Sequence, residues 1–236
     1  MPMRRRYTRK RKRRYYYGRK RKRITLRKTA KQVYRLKNAI ETKAHDVSSG
    51  VQSCTFVAQS TQLNSILEGT SGDEVVGRSF FMKTLHLKYR LAMSSTTEPN
   101  LAAVRVMVVL IKDPVFNSAT PAFTTLFNVV SGGSPIPSYH ASKKMDRRFG
   151  FRVLYDRKHD MGSINDLGTS TWSGGGKISQ TVSTYIPIKF KAVYDDTTSN
   201  LNRGQLILFW MSAVDEGVNT PPCSILACPR LYYTDA

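Results

Sequence analysis

"KTLHLKYRL", residues 83–91, sets Leu85, Leu87, Tyr89 and Leu91 in alternation with Thr84, His86, Lys88 and Arg90. Side chains of an extended strand point to opposite faces with a period of two, so this stretch reads as a strand with one apolar and one polar face. The alternation returns in "YIPIKFKAVY" (185–194), through Ile186, Ile188, Phe190, Ala192 and Tyr194. "AVRVMVVLIKD" (103–113) differs: it is almost continuously apolar and rich in β-branched residues, as a strand covered on both sides is. "GQLILFWMSAV" (204–214), "SILACPRLYYTD" (224–235), "GFRVLYDRKHD" (150–160), "SCTFVAQ" (53–59) and a short strand near 178–182 bring the series to about eight.

Turn formers separate these strands, in "SSTTEPN", "SGGSPIP", "TWSGGGK", "DDTTSNLNRG" and "DEGVNTPP". Strands that follow one another without amphipathic helices between them build an all-β sandwich or barrel rather than a parallel α/β sheet. The longest connection, 113–149, exceeds any hairpin loop and has room for a short helix around 123–130. Connections of that size usually have a task of their own.

Ahead of the strands the sequence changes character. From Arg4 to Lys37 there are 19 basic residues and no acid, which leaves 19 basic residues against all 16 acidic ones in the rest of the chain. The formal charge of +22 therefore belongs almost wholly to one end. A nearly neutral body behind such a leader points to a tethered arm for a polyanion. The leader has too little apolar surface to offset the entropy of ordering it, so without a polyanion it is expected to be largely disordered or locally helical. The expected division is an arm over 1–47 and a body over 48–236. Within the arm, Leu26, Ala30, Val33, Leu36, Ile40 and Ala44 recur at helical spacing, which predicts an amphipathic helix over 25–45.

The candidate nucleic-acid-binding residues lie in this arm. A first block holds Arg4, Arg5, Arg6, Arg9, Lys10, Arg11, Lys12, Arg13 and Arg14, and a second holds Arg19, Lys20, Arg21, Lys22 and Arg23. Arg27, Lys28, Lys31, Arg35 and Lys37 fall on the polar side of the predicted helix. Each cation that pairs with a phosphate releases condensed counterions, which gives tight, sequence-blind and steeply salt-dependent binding. Tyr7, Tyr15, Tyr16 and Tyr17 interrupt the charge with ring faces on which unpaired bases can stack; the competing reading makes them spacers in a localisation signal. Clusters such as "RKRKRR" (9–14) and "RKRKR" (19–23) also have the composition of nuclear import signals.

No catalytic constellation emerges elsewhere. "SGGGKIS" (173–179) fails as a phosphate loop, because Thr171 stands where its first Gly belongs and Ile178 where a Ser or Thr should follow the Lys. Cys54, Cys223 and Cys228 are odd in number and scattered, against a disulfide framework. Cys223 and Cys228 lack the spacing of a metal pair, and Cys228 reads as an inert core thiol. His45, His86, His140 and His159 sit in unlike surroundings, and "YDRKHD" (155–160) reads as a charged strand end. No cofactor or metal is expected. No apolar run reaches the roughly 18 residues needed to span a bilayer, and no secretory signal opens the chain, so no membrane partner is expected and the cytosol or nucleus is.

The order of these features resembles that of capsid proteins of small circular single-stranded DNA viruses, above all geminivirus coat proteins. "GRSFFMKTLHLKYRL" (77–91) is similar to that family's glycine-basic-phenylalanine entry into a long strand. "VMVVLIKDPVFNSATPAFTTLFN" (106–128) resembles its apolar strand, charged turn with proline and aromatic segment. "RRFGFRVLYDRKHDM" (147–161), "GQLILFWMSA" (204–213) and "CPRLYYTDA" (228–236) resemble its later strands in order. The arm departs from the pattern: it is shorter, denser in charge and lacks the Cys and His residues often placed there. The resemblance implies a single eight-stranded jelly roll, two four-stranded antiparallel sheets, whose copies close an icosahedral (T=1) shell around single-stranded DNA. It implies a virion and host-nuclear location and nuclear import receptors as partners. The rival from another class is a non-viral architectural nucleic-acid-binding protein, which shares the arm but has no need of a neutral β-sandwich with long loops.

Overall fold

The computed structural model describes residues 28–29, 42–69, 74–93, 100–112, 121–128, 138–145, 150–163, 179–195, 201–213 and 223–235. The chain divides into two units, Met1–Glu41 and Thr42–Ala236. Of the first, only Lys28 and Thr29 are described; both are helical and exposed.

The second unit is antiparallel β throughout its core. In chain order its strands are β1 (Lys43–Asp46), β2 (Val51–Ser53), β3 (Gln59–Gln62), β4 (Ser79–Met93), β5 (Asn100–Ile111), β6 (Phe127–Asn128) and β7 (Ser142–Lys143), then β8 (Phe151–Ser163), β9 (Ser179–Tyr194), β10 (Leu201–Arg203), β11 (Leu206–Ser212), β12 (Cys223–Ala227) and β13 (Arg230–Asp235). One short helix, α1 (Phe123–Leu126), and a 3₁₀ turn at Ser138–His140 lie between β5 and β8.

The pairing is that of one long hairpin folded over on itself. If β1 with β2 counts as the first position and β12 with β13 as the eighth, the others are β3, β4, β5, β8, β9 and β11. First then pairs with eighth (β1 with β13, β2 with β12), second with seventh (β3 with β11), third with sixth (β4 with β9) and fourth with fifth (β5 with β8). Rolling this ribbon brings β4 against β12 and β13, and β5 against β11. The result is two sheets, β2/β1–β12/β13–β4–β9 and β3–β11–β5–β8, with β10 added to β9. That is the jelly-roll arrangement of eight strands in two Greek keys, and the all-β jelly-roll expectation holds.

Alternation decides which side chains fill the space between the sheets. Phe80, Met82, Leu85, Leu87, Tyr89 and Leu91 of β4 face Val104, Val106, Val108 and Leu110 of β5 and Leu206, Leu208 and Trp210 of β11, all buried in one cluster. The opposite side of the second sheet is not left to solvent. Met107, Val109 and Ile111, with Ile207, Phe209 and Met211, form a second buried cluster with Phe123, Leu126, Phe127, Tyr139 and Ala141 of the long connection. The task of that connection is thus to cover one sheet, and 103–113 reads as apolar on both faces because both are buried. The outer face of the first sheet has no such cover among the described residues.

Several expectations about element boundaries need correction. The predicted helix over 25–45 falls mostly outside the described residues, but its last part is not helical: Lys43–Asp46 is strand β1, paired residue for residue with β13. The unit that holds the strands spans Thr42–Ala236. The strand expected over 53–59 is two short strands, β2 and β3, with an irregular crossing between the sheets. The short strand near 178–182 and "YIPIKFKAVY" are one strand of 16 residues. Pro187 looks like a break, yet it sits at a register shift opposite β4, where a missing N–H costs little. The helix expected around 123–130 ends at Leu126, and Phe127–Asn128 is extended.

Candidate nucleic-acid interface

The arm residues singled out from sequence lie outside the described residues, with the exception of Lys28, which is helical and exposed. The structure does describe where the body begins. Thr42 leads into β1, an edge strand of the first sheet, and β1 is tied down by more than its ladder. Lys43 Nζ lies 3.0 Å from a carboxylate oxygen of Asp235 and donates to the Glu74 carbonyl at 2.7 Å. Three residues on, Arg230 donates through Nε and an Nη to the two carboxylate oxygens of Asp46, at 2.6 and 2.7 Å. Those hydrogen bonds, first of all, hold the Asp46 carboxyl below its usual range. Pulling on the chain ahead of Thr42 thus loads two ion pairs and a four-residue ladder.

Of the body residues with basic clusters, Lys143 is committed locally. Its Nζ donates to the Phe151 carbonyl at 3.2 Å and stands 4.5 Å over the Phe151 ring. Burial, and then the charge of Lys112, push its pKa down. Lys144 continues the same segment, and Arg147 and Arg148 are outside the described residues.

The charged stretch 155–160 lies on an edge strand, with Asp156, Arg157, Lys158 and Asp160 exposed, but several of its side chains are tied into the fold. Asp156 accepts two hydrogen bonds from Arg105, at 2.8 and 2.7 Å, and Arg105 Nη1 also donates to the carbonyls of Tyr139 and Ala141. Lys158 lies 4.5 Å over the Tyr139 ring. His159 is buried: its Nε2 is 2.6 Å from the Tyr89 hydroxyl, which is 2.7 Å from the Tyr155 hydroxyl. Burial, first of all, raises the Tyr89 pKa well above the usual range for a phenol. These groups are hydrogen-bonded to one another between and across the sheets. The loop residues 173–178 lie outside the described residues, and Ser179 opens β9.

The thiols divide differently from the sequence reading. Cys54 and Cys223 are buried, whereas Cys228, expected in the core, is exposed in the two-residue link between β12 and β13. Strand alternation is broken at that link, and so the pattern misplaced it. Among the described residues no group of three His, Cys, Asp or Glu side chains is arranged to hold a metal ion, and no helix is long and apolar enough to cross a membrane.

No protein-family model matches this chain, and none of the curated proteins does. Solved structures are similar to it at low identity. A chain of Desmodium yellow mottle tymovirus aligns with 83% of this chain and 87% of its own length, at 9% identity and a TM-score of 0.31. The VP2 subviral particle of infectious bursal disease virus aligns with 83% of this chain but only 33% of its own, at 11% identity and a TM-score of 0.25. At such scores neither likeness adds to the architecture, which rests on this chain's own strand pairing.

Proposed function

We propose that this chain is a viral capsid protein whose jelly-roll body assembles into a closed icosahedral shell and whose basic arm packages single-stranded DNA and directs nuclear import. The observation that carries the reading is the conjunction of a complete eight-position jelly roll with a charge of 19 confined to its leader. Double-sheet jelly rolls are a recurrent solution for capsid subunits, because the fold leaves loops at its ends and sides for repeated contacts. The leader supplies what the nearly neutral body lacks. Roughly 60 copies in a minimal shell bring on the order of a thousand arm charges, enough for about as many phosphates. Single-stranded DNA as cargo, and the nucleus as destination, rest on the geminivirus-like order of motifs; the arm's tyrosines favour unpaired bases.

Expression of the full chain, followed by sedimentation and electron microscopy, tests the proposal. Closed particles of megadalton mass, releasing nuclease-sensitive DNA when opened, are expected. A protein that stays monomeric and coats added nucleic acid without closing overturns the capsid reading in favour of a non-viral architectural binder. Residues 1–28 fused to a fluorescent protein test the import signal separately. The fusion should concentrate in nuclei, and a cytoplasmic fusion removes that part of the proposal.

A further inference from the structure

The uncovered outer face of the first sheet carries a ring stack that neither folding nor the arm accounts for. His86 on β4 and Tyr185 on β9 are directly opposite in the ladder, and their rings are stacked with centroids 4.0 Å apart and planes 16° apart. His86 is 8% exposed and Tyr185 63% exposed, so the tyrosine covers the imidazole and keeps its own far face open. The imidazole is oriented from the side by the Ser183 hydroxyl, 2.9 Å from Nε2. An aromatic ring on a sheet surface normally turns toward apolar neighbours. This one is stacked against an imidazole and leaves most of its own surface exposed.

The surroundings of the stack are cationic and hydroxylic. Lys88 and Arg90 follow His86 on the same face of β4, opposite Ser183 and Thr181 of β9, and both basic side chains are exposed. Arg90 Nε donates to the Ser179 hydroxyl at 2.9 Å, which holds the guanidinium against the sheet. On the other flank Arg230 stands opposite His86. The acid on this part of the face among the described residues is Asp46, and Arg230 already binds it. Two cations about 7 Å apart along one strand, beside a fixed ring, match a phosphate backbone running past a stacked base.

We infer that this face, centred on Tyr185 over His86 with Lys88 and Arg90, is a second site for single-stranded nucleic acid, built into the body and separate from the arm. A ring already stacked on its underside has little freedom to lose when a base covers the upper side, so binding there forfeits less entropy than binding to a mobile tyrosine. The cations supply phosphate pairing without sequence preference. This site rests on the packaging reading for its biological partner but makes its own physical claim, because it assigns base contact to a rigid sheet surface.

Full-length protein is titrated with labelled oligothymidylate over a range of salt, and also crosslinked by light to the same oligonucleotide carrying bromodeoxyuridine. Tyr185→Ser should lower single-strand affinity about 5- to 150-fold, with less effect on duplex and an unchanged salt slope. The Lys88→Ser/Arg90→Ser pair should flatten the slope by about 1.4, at about 0.7 per lost phosphate contact. Arg157→Ser/Lys158→Ser, which removes equal charge from β8, should leave the slope alone. Crosslinks should map to 179–194 and vanish in Tyr185→Ser, with thermal melts confirming that each variant is folded. If Tyr185→Ser binds as the parent does and crosslinks fall only on arm peptides, this site is overturned while packaging by the arm stands. If the two charge pairs flatten the slope equally, binding is diffuse and the site is also overturned. Failure of the parent protein to bind single strands at all overturns both readings together.

Discussion

Arg105 and Asp156 form a two-pronged ion pair from adjacent strands, and the same guanidinium holds the carbonyls of Tyr139 and Ala141. The arginine is buried at 8% exposure between Val104 and Val106 in a strand that is otherwise apolar from Leu101 to Ile111. It therefore fastens the long connection onto the second sheet by hydrogen bonds where Phe123, Phe127 and Phe209 fasten it by packing. Removing Asp156 leaves a buried cation with part of its shell gone. Asp156→Ala should cost about 2–4 kcal/mol in a denaturant titration, whereas Arg105→Met/Asp156→Leu, which removes both charges, should cost less than the two single changes added together. A double variant that costs the sum of the singles means the pair does not interact energetically.

That arginine also marks a limit of what the sequence displays. Alternation and two-sided burial are local patterns, and they located β4, β5, β8, β9 and β11, because each of those strands carries its own apolar face; 224–235, read as one strand, is β12 and β13 with a two-residue link between them. Lys43–Asp46 carries none: its extended form comes from pairing with β13, nearly two hundred residues away, and its residues by themselves continue a helical spacing. In the same way Arg105 interrupts an apolar run with nothing nearby to say that its partners are Asp156 and two carbonyls of a connection. The His86–Tyr185 stack is invisible for a like reason, since register across a sheet is not written in either strand alone. The arm was legible as charge, and charge is the whole of its description so far.

Two residues with positive φ should respond in opposite directions. Gly204 has φ +86°, and a Cβ there would stand 2.8 Å from the Ala192 Cα, a backbone atom that cannot swing aside. Its carbonyl also accepts a hydrogen bond from the buried Asn64 amide at 2.7 Å, so any local shift breaks a second contact. Gly204→Ala should destabilise the body by about 2 kcal/mol or more. Lys189 has φ 51° and is exposed at the bulge between β4 and β9. Lys189→Gly should raise stability by up to about 1 kcal/mol, measured as a shift of the denaturation midpoint.

His86 should give the body a pH-dependent stability above the range in which carboxylates titrate. Loss of hydration beneath Tyr185 pushes its pKa below the ordinary 6.5, and the charges of Lys88 and Arg230 push the same way. In the unfolded chain the imidazole takes up a proton near 6.5, while in the folded chain it does so only at lower pH. Between those two values unfolding binds a proton, so stability falls as the pH drops through that window and levels off below it. Asp46 contributes in a separate window: held below 3.8 by Arg230, it stabilises above that value and ceases to as pH falls through its folded pKa. His86→Gln should flatten the upper step and leave the acidic one. An unaltered profile between pH 7 and 5 means that another histidine is responsible.

Deletion of residues 1–37 removes 19 positive charges and keeps every residue described in the two buried clusters. The truncated chain should fold with an unchanged melting temperature and form shells that contain far less nucleic acid than those of the parent. β1 and its ion pairs to Asp235 and Arg230 remain in this deletion, which is why the cut is placed ahead of Thr42. Loss of folding, or shells as full as the parent's, contradicts the division of labour between arm and body.

The arm tyrosines can be separated from the arm charges by salt. Replacing Tyr7, Tyr15, Tyr16 and Tyr17 with Ser keeps every cation, so a purely electrostatic arm should bind single strands as before. If the rings stack on bases, each engaged tyrosine contributes about 1–3 kcal/mol, and the loss falls mainly on single strands, because duplex bases are already stacked. Phosphate pairing sets the slope of log affinity against log salt, at about −0.7 per neutralised phosphate on single strands, and the four substitutions leave that number of phosphates unchanged. The expected outcome is a parallel downward shift of the single-strand line with no change of slope. Combining the four arm changes with Tyr185→Ser then asks whether arm and sheet engage one strand. Additive losses mean independent contacts, whereas a combined loss larger than the sum means that a base released by one set of rings is taken up by the other.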